Sequence, residues 1–327
     1  MNLRFKLIAL LLLVVLGVMA QYDADYFLRM AKSKLKEGKC ESAKEFYDVY
    51  KNHFHEMDAS VESQIKKCGV GSTKEKTVYK NPNVINSKKP TPIRENYTET
   101  AFGINMKMIW VEGGDFMMGC TSEQSDCEKD EKNVRRVTLG GFYIGMLEVT
   151  QAQWKAVMGT TVLQQRNKKD SSLPMAGVGS NYPMYYVNYD EVTEFCRLLS
   201  KRTGKTYTLP TEAQWEYAAR GGMKSDGTKY AGSNVIDDVA WYKDNSGNTT
   251  HLCGSKRANA LGIYDMSGNV WEWCKDWYVY NGKANMYRMY RGGGWGSRAL
   301  RCRVTNLDGF YPAYRDLYVG FRVVCLP

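Results

Sequence analysis

Arg291-Gly292-Gly293-Gly294-Trp295 sets three consecutive glycines against a tryptophan. Glycine inside a helix or strand costs roughly 0.5–1 kcal/mol relative to alanine, so this run reads as loop where backbone passes close to other backbone. A second glycine-marked run, Gly320-Phe321-Arg322, closes the segment. Between them lie Cys302, four arginines and the stretch Asp308-Gly309-Phe310-Tyr311-Pro312-Ala313-Tyr314-Arg315-Asp316-Leu317-Tyr318. Chemistry or recognition is expected here.

The rest of the chain fits a loop-rich domain. Thirty glycines, eight tryptophans and 23 tyrosines accompany few long apolar runs, which favours a mixed α+β fold over a helical bundle. At 327 residues and 43% hydrophobic content, the chain has material for one large domain and a small one.

Residues 1–20 read as a signal peptide. Arg4 and Lys6 give a basic start, Leu7 to Val18 an apolar core, and Val18-Met19-Ala20 a cleavage site before Gln21. The core is shorter than the roughly 20 residues that span a bilayer. The mature chain is therefore expected to be exported (periplasmic, cell-surface or secreted) with no transmembrane anchor after cleavage. Export places nine cysteines where disulfides persist, and the odd count leaves at least one unpaired within the chain. Cys40 with Cys68 and Cys120 with Cys127 are candidate local bridges. The net charge of +10 is spread among acidic residues, the pattern of a solvated basic surface rather than a nucleic-acid footprint.

Residues 21–68 carry apolar positions at spacings of three and four around a Glu37-Gly38-Lys39 break, as in one tetratricopeptide-like helical hairpin. Such a hairpin serves either as a partner-binding adaptor or as a small helical appendage. Residues 69–101 read as a polar linker, in which Asn96-Tyr97-Thr98 fits a glycosylation acceptor. The main domain is expected over 102–327. Met106–Trp110 and Gly114–Gly119 suggest a β-hairpin about Glu112-Gly113-Gly114, and Val134–Ile144 resumes strand character. Thr150 with Gln153, and Thr211 with Gln214, each form a capping-box pattern at a helix start. A third helix is expected from Tyr189 to Lys201, capped by Asn188 and stopped at Thr203-Gly204.

Met117-Met118-Gly119, Glu148-Val149-Thr150, the run Leu209 to Gly222, the run Leu261 to Trp273, Arg291 to Trp295 and Gly320-Phe321-Arg322 occur in that order. Together they closely resemble the formylglycine-generating enzyme (sulfatase-modifying factor) family over about residues 102–327. The resemblance implies a variant C-type-lectin-like α+β fold, preceded here by the small all-α hairpin. Active members of that family oxidise a sulfatase cysteine and bind copper through two cysteines; two thiolates suit a soft monovalent ion. Aligned on Trp295, Cys302 takes the first position and Leu307 the second. One thiolate does not complete that site unless Cys325 or Cys274 folds back, and Cys302 is equally open to a disulfide or a buried structural role. An iron centre needs clustered histidines, and only His251 lies in the main domain.

The resemblance also implies a calcium site on Asp265, Gly268, Val270 and Glu272, two side-chain and two backbone oxygen donors of the kind calcium prefers. The competing reading has Asp265 and Glu272 accept backbone hydrogen bonds. In relatives diversified by retroelements, the C-terminal stretch carries the ligand contacts. Here Trp295, Arg298, Phe310, Tyr311, Tyr314, Asp316 and Tyr318 would supply aromatic anchors and polar contacts for a protein, peptide or glycan. The expected function is exported, non-catalytic recognition. The alternative is a copper-dependent oxidase acting on a peptide cysteine through Cys302.

Overall fold

The computed structural model describes residues 94–327 except 125, 281 and 282, with six isolated positions ahead of them: Lys32, Leu35, Val61, Ser63, Gln64 and Lys67. The signal peptide, the 21–68 hairpin with its Cys40–Cys68 bridge, and most of the linker lie outside the described residues. The chain divides into units Met1–Pro90 and Thr91–Pro327. The second is described below.

It is an α+β fold built on three sheets. Strands β1 (Tyr97–Glu99), β2 (Met106–Val111), β5 (Phe142–Gly145), β11 (Val324–Leu326) and β6 (Thr206–Thr208) pair antiparallel in that spatial order. A four-stranded sheet runs β10 (Val319–Gly320), β7 (Trp271–Tyr280), β8 (Lys283–Arg291), β9 (Leu307–Phe310), with only the β10–β7 pair parallel. Strands β3 (Gly114–Met118) and β4 (Arg135–Leu139) form a separate ribbon.

Two expectations change. The domain opens ahead of residue 102, because β1 already pairs with β2. The expected hairpin between Met106–Trp110 and Gly114–Gly119 does not form: β2 pairs with β1 and β5, and β3 with β4. The reason lies at Gly113, where a Cβ would sit 2.6 Å from the Leu139 carbonyl oxygen. The chain passes against the β4–β5 connection there and leaves one sheet for another.

The helices start where local chemistry dictates. Helix α1 (Gln151–Met158) has Thr150 and Gln153 in a reciprocal capping box, α2 (Val162–Asn167) uses Thr161 and Gln164, and α4 (Glu212–Ala219) uses Thr211 and Gln214. Each cap satisfies first-turn donors and is worth about 1 kcal/mol. Helix α3 (Tyr189–Thr203) begins at Asn188 and ends on Gly204 at φ 73°. Trp154 of α1 stacks on Phe195 of α3 with centroids 5.9 Å apart, and Phe321 meets Phe195 edge-on at 5.2 Å. Trp154 and Trp215 are fully buried, as core residues should be.

The five-stranded sheet curls. Its edge strands β1 and β6 would lie roughly 19 Å apart in a flat sheet, at about 4.8 Å per strand. Instead the hydroxyls of Tyr97 and Tyr207 meet at 2.8 Å, and Glu99 accepts from both Tyr207 (2.7 Å) and Lys205 (2.8 Å).

Between the two larger sheets lies Arg322. Its Nε and Nη2 donate to the two oxygens of Glu272, each at 2.6 Å, its Nη1 to the Gly145 carbonyl and its Nη2 to the Tyr264 carbonyl. Trp215 Nε1 donates to Glu272 Oε2 at 2.7 Å. Both charged groups are fully buried. Removing one member of a buried, hydrogen-bonded pair strands the other charge, at a cost of roughly 3–5 kcal/mol. Glu272→Gln should therefore lower the denaturant midpoint by that equivalent while the slope of the transition stays constant, measured by fluorescence-detected unfolding.

Candidate functional site

The glycine run does what its composition demands. Gly293, at φ 73°, lies so close to Cys302 that a Cβ would fall 2.7 Å from the sulfur and 2.9 Å from the Arg301 carbonyl oxygen. Cys302 is fully buried beneath it. Its thiol makes one weak contact, to the Arg298 carbonyl at 3.9 Å, and burial pushes its pKa up to about 12. Leu307, at the second copper position, is also buried and begins β9. Cys274 and Cys325, the possible replacements, are themselves buried, with their thiols directed at the Glu272 and Leu326 carbonyls respectively. The residues present do not make a two-thiolate set. The predicted Cys120–Cys127 disulfide is formed, and Arg303 Nη1 donates to the Cys127 sulfur at 3.3 Å.

The recognition residues separate into layers. Strand β9 pairs with β8 through Arg288 opposite Phe310 and Arg291 opposite Leu307, and carries the chain into the 311–318 loop. Tyr311 and Tyr318 are exposed, at 48% and 37%. Arg298 is exposed, and Phe310, Tyr314 and Asp316 are half-buried. Trp295 departs from the expected surface role. It is buried, donates from Nε1 to the Leu317 carbonyl at 3.2 Å, and packs its ring 4.5 Å from Tyr318. It supports Tyr318 from below.

Asp316 also turns inward. Its Oδ2 accepts from Tyr314 at 2.8 Å and from Lys169 at 3.2 Å, and its carbonyl accepts from the Tyr186 amide. Arg315 pairs with Glu191 of α3 and reaches Gln165. Burial alone would raise the Glu191 pKa, but hydrogen bonds from Arg315 and Lys168 hold it low. The Pro312 carbonyl accepts from the Tyr189 amide. The Phe310 and Tyr314 rings pack at a 34° tilt with centroids 3.8 Å apart, and Tyr287 of β8 donates to the Tyr311 hydroxyl at 3.1 Å. The loop is thus fixed from behind and presents Tyr311, Tyr318 and Arg298 outward. Sequence reasoning missed Lys169, Glu191, Arg315 and Tyr287. Lys169 and Tyr287 belong to no motif, Glu191 is the N3 residue of the Asn188 capping box, and Arg315 lies inside the C-terminal stretch with no role read for it.

The four positions of the implied calcium set share one region but not one task. Both Glu272 oxygens are occupied by Arg322 and Trp215, as described above. Asp265 is buried and accepts from the Gly254 amide at 2.6 Å. Val270 donates its amide to Glu148 Oε1 at 3.1 Å, and Gly268 its amide to the Gly292 carbonyl. Burial raises Asp265 to about 6, with the Glu272 charge adding to it. Burial, then the charges of Asp265 and Glu272, raise Glu148 well above the carboxylate range. Of the four, Glu272 is committed to Arg322 and Trp215, whereas the contacts of Gly268 and Val270 are made by their amides and the implied donors are their carbonyls.

Residues 95–326 match the model of the sulfatase-modifying factor enzyme 1-like domain. The chain is 35% identical over 268 residues to the chaperone protein LppX of Paenibacillus barcinonensis, covering 66% of this chain and 88% of that one. It is 28% identical over 281 residues to inactive C-alpha-formylglycine-generating enzyme 2 of Bos taurus, covering 69% of this chain and 90% of that one. Of the longer Pkn1 serine/threonine-protein kinase of Chlamydia trachomatis, the match spans 38%. Among solved structures, variable protein 1 of Treponema denticola superposes with a TM-score of 0.61 at 28% identity, over 72% of this chain and all of that one.

The enclosure of Cys302 has a direct chemical consequence. With the folded pKa near 12 against an ordinary value of 9.0, the thiol stays protonated at pH 8, and its stabilising effect is complete below pH 9 and lost as pH rises toward 12. Cys302 should resist iodoacetamide in the folded protein at pH 8 and react at the ordinary rate in denaturant, read by peptide mass spectrometry.

Proposed function

This chain belongs to the sulfatase-modifying factor family, and we propose that it uses the family fold for exported, non-catalytic recognition, gripping a protein, peptide or glycan with its C-terminal aromatic face. The observation that carries this reading is the division of labour in the 311–318 loop. Asp316, Arg315 and Trp295 hold the loop, while Tyr311, Tyr318 and Arg298 are left for a partner. Rigid tyrosines bring large contact area at low entropic cost. A loop already held in place spares the ordering cost that a partner would otherwise have to offset.

Two relatives support the reading by name: one is called an inactive formylglycine-generating enzyme and another a variable protein. The Cys120–Cys127 disulfide is of the kind that persists in an oxidising compartment, as export requires. Among the described residues no helix is long and apolar enough to cross a membrane. The oxidase alternative draws on family membership, but it would have to work with the single, enclosed thiol of Cys302.

Arrays of immobilised glycans and peptides, probed with the folded full chain, test the proposal. The double variant Tyr311→Ala/Tyr318→Ala should retain the melting temperature and lose at least about tenfold in affinity for any captured ligand, the scale of a hot-spot residue. A ligand held equally by the variant would move the site elsewhere. Conversion of a peptide cysteine to formylglycine by the copper-loaded protein would replace this reading with the oxidase.

A further inference from the structure

Behind the C-terminal segment, the connection from β3 to β4 supplies the charge that the base of the segment requires. Glu131 is buried there and accepts from the Glu128 amide, Arg303 Nη2, Thr305 Oγ1 and Asn306 Nδ2 at 2.6 to 3.1 Å. Arg303, Thr305 and Asn306 stand just before β9, which carries the chain into the 311–318 loop. The same connection is closed on itself by Cys120–Cys127, and both ends of the bridge bear on Glu131. The Cys120 amide donates to the Glu131 carbonyl at 2.8 Å, and the residue after Cys127 is Glu128, whose amide holds the Glu131 carboxylate.

We propose that Cys120–Cys127 is a redox latch: a dithiol opens it by thiol–disulfide exchange, and opening loosens the base of the aromatic face. As a control on binding, the latch rests on the recognition role proposed above. The site suits the exchange. Both cysteines are half-buried rather than enclosed, so an incoming thiolate has access to Cys120. Its attack forms a mixed disulfide at Cys120 and breaks the bond to Cys127, which leaves as thiolate. Arg303 Nη1 lies 3.3 Å from the Cys127 sulfur and directs an N–H at the atom that takes the charge. A stabilised thiolate leaves faster. The second thiol of the reductant then attacks the mixed disulfide and departs as the oxidised dithiol, while the two released sulfurs take protons from solvent. Two electrons thus pass from the dithiol to the bridge, which persists until such a reductant reaches it.

Arg303 links the bridge to the face. Besides the Cys127 sulfur, its guanidinium reaches the Asp126 carbonyl, Thr305 Oγ1 and Glu131, and the Arg303–Glu131 pair is fully buried. Opening the ring returns conformational freedom to the connection that holds Glu131. Each excursion of Glu131 then strands the Arg303 charge beneath β9, which a buried cation tolerates poorly. The effect stays local, because β2, β5 and β11 pair with one another in a different sheet.

Dithiothreitol at about pH 8 should open Cys120–Cys127 in the folded full chain at least as fast as in denaturant, read by differential alkylation and peptide mass spectrometry. The double replacement Arg303→Met/Glu131→Leu, which removes both charges together, should slow that opening at least about tenfold. In the opened protein, and in Cys120→Ser/Cys127→Ser without reductant, amides of residues 303–310 should exchange hydrogen at least about tenfold faster while those of β2 and β5 keep their rates. Both forms should lose affinity for an array-captured ligand by a similar factor. A bridge that resists dithiothreitol in the folded chain, or unchanged exchange at 303–310 after opening, would overturn the latch. So would unfolding of the whole domain on reduction, which would make the bridge a structural staple. These readouts need no ligand, so the latch and the recognition reading fail separately: undiminished binding by the opened protein refutes the control while leaving recognition intact.

Discussion

The guanidinium of Arg322 is the point on which the fold turns. It sits where the five-stranded and four-stranded sheets approach, and each side demands something of it: Gly145 of β5 offers a carbonyl, and Glu272 of β7 offers both carboxylate oxygens. A lysine would deliver a point charge and no fork. Trp215 adds α4 to the same carboxylate. Such a pair returns little net stability compared with apolar residues of equal volume, because desolvation consumes most of the attraction. What it supplies is a single permitted arrangement of strands whose own pairing is short. Two further fully buried pairs, Arg291 with Glu216 and Arg303 with Glu131, repeat the device under the C-terminal segment.

Those pairs explain how a loop rich in aromatic residues keeps one shape. Arg291 Nη1 donates to the Thr305 and Asn306 carbonyls, and Arg303 joins Glu131 to the base of the same segment. Above this charged floor the chain needs few further restraints, and the turn after α2 and helix α3 provide them through Lys169 and Glu191. The glycines at 293 and 309 permit the tight approach: a side chain at 309 would strike the Tyr278 ring at 2.4 Å. Rigidity in the outward tyrosines is thus inherited from buried electrostatics rather than from the tyrosines themselves.

Local rules were legible in the sequence. The caps at Thr150, Asn188 and Thr211 depend on residues three apart, and the Gly204 stop on one residue. Composition and the family resemblance together supplied the α+β class, and the glycine-framed segment the region of the site. Pairings between distant segments were not legible: β2 and β3 each satisfy a strand pattern, and nothing in either reveals that they enter different sheets. Side-chain direction was equally hidden. Trp295 and Asp316 have the composition of a binding surface, yet Trp295 fills a core position and Asp316 answers a lysine from α2's trailing turn.

Strand β11 occupies the middle of its sheet, with β5 on one side and β6 on the other. It is also the last strand of the domain in chain order. Until it arrives, two halves of the sheet have exposed inner edges and no partner, and the arginine that locks them is equally late. The domain therefore cannot complete its fold progressively as it is made. It must wait and close in one late, long-range step of the slow kind. In the interval before that step the domain displays bare strand edges to every neighbour.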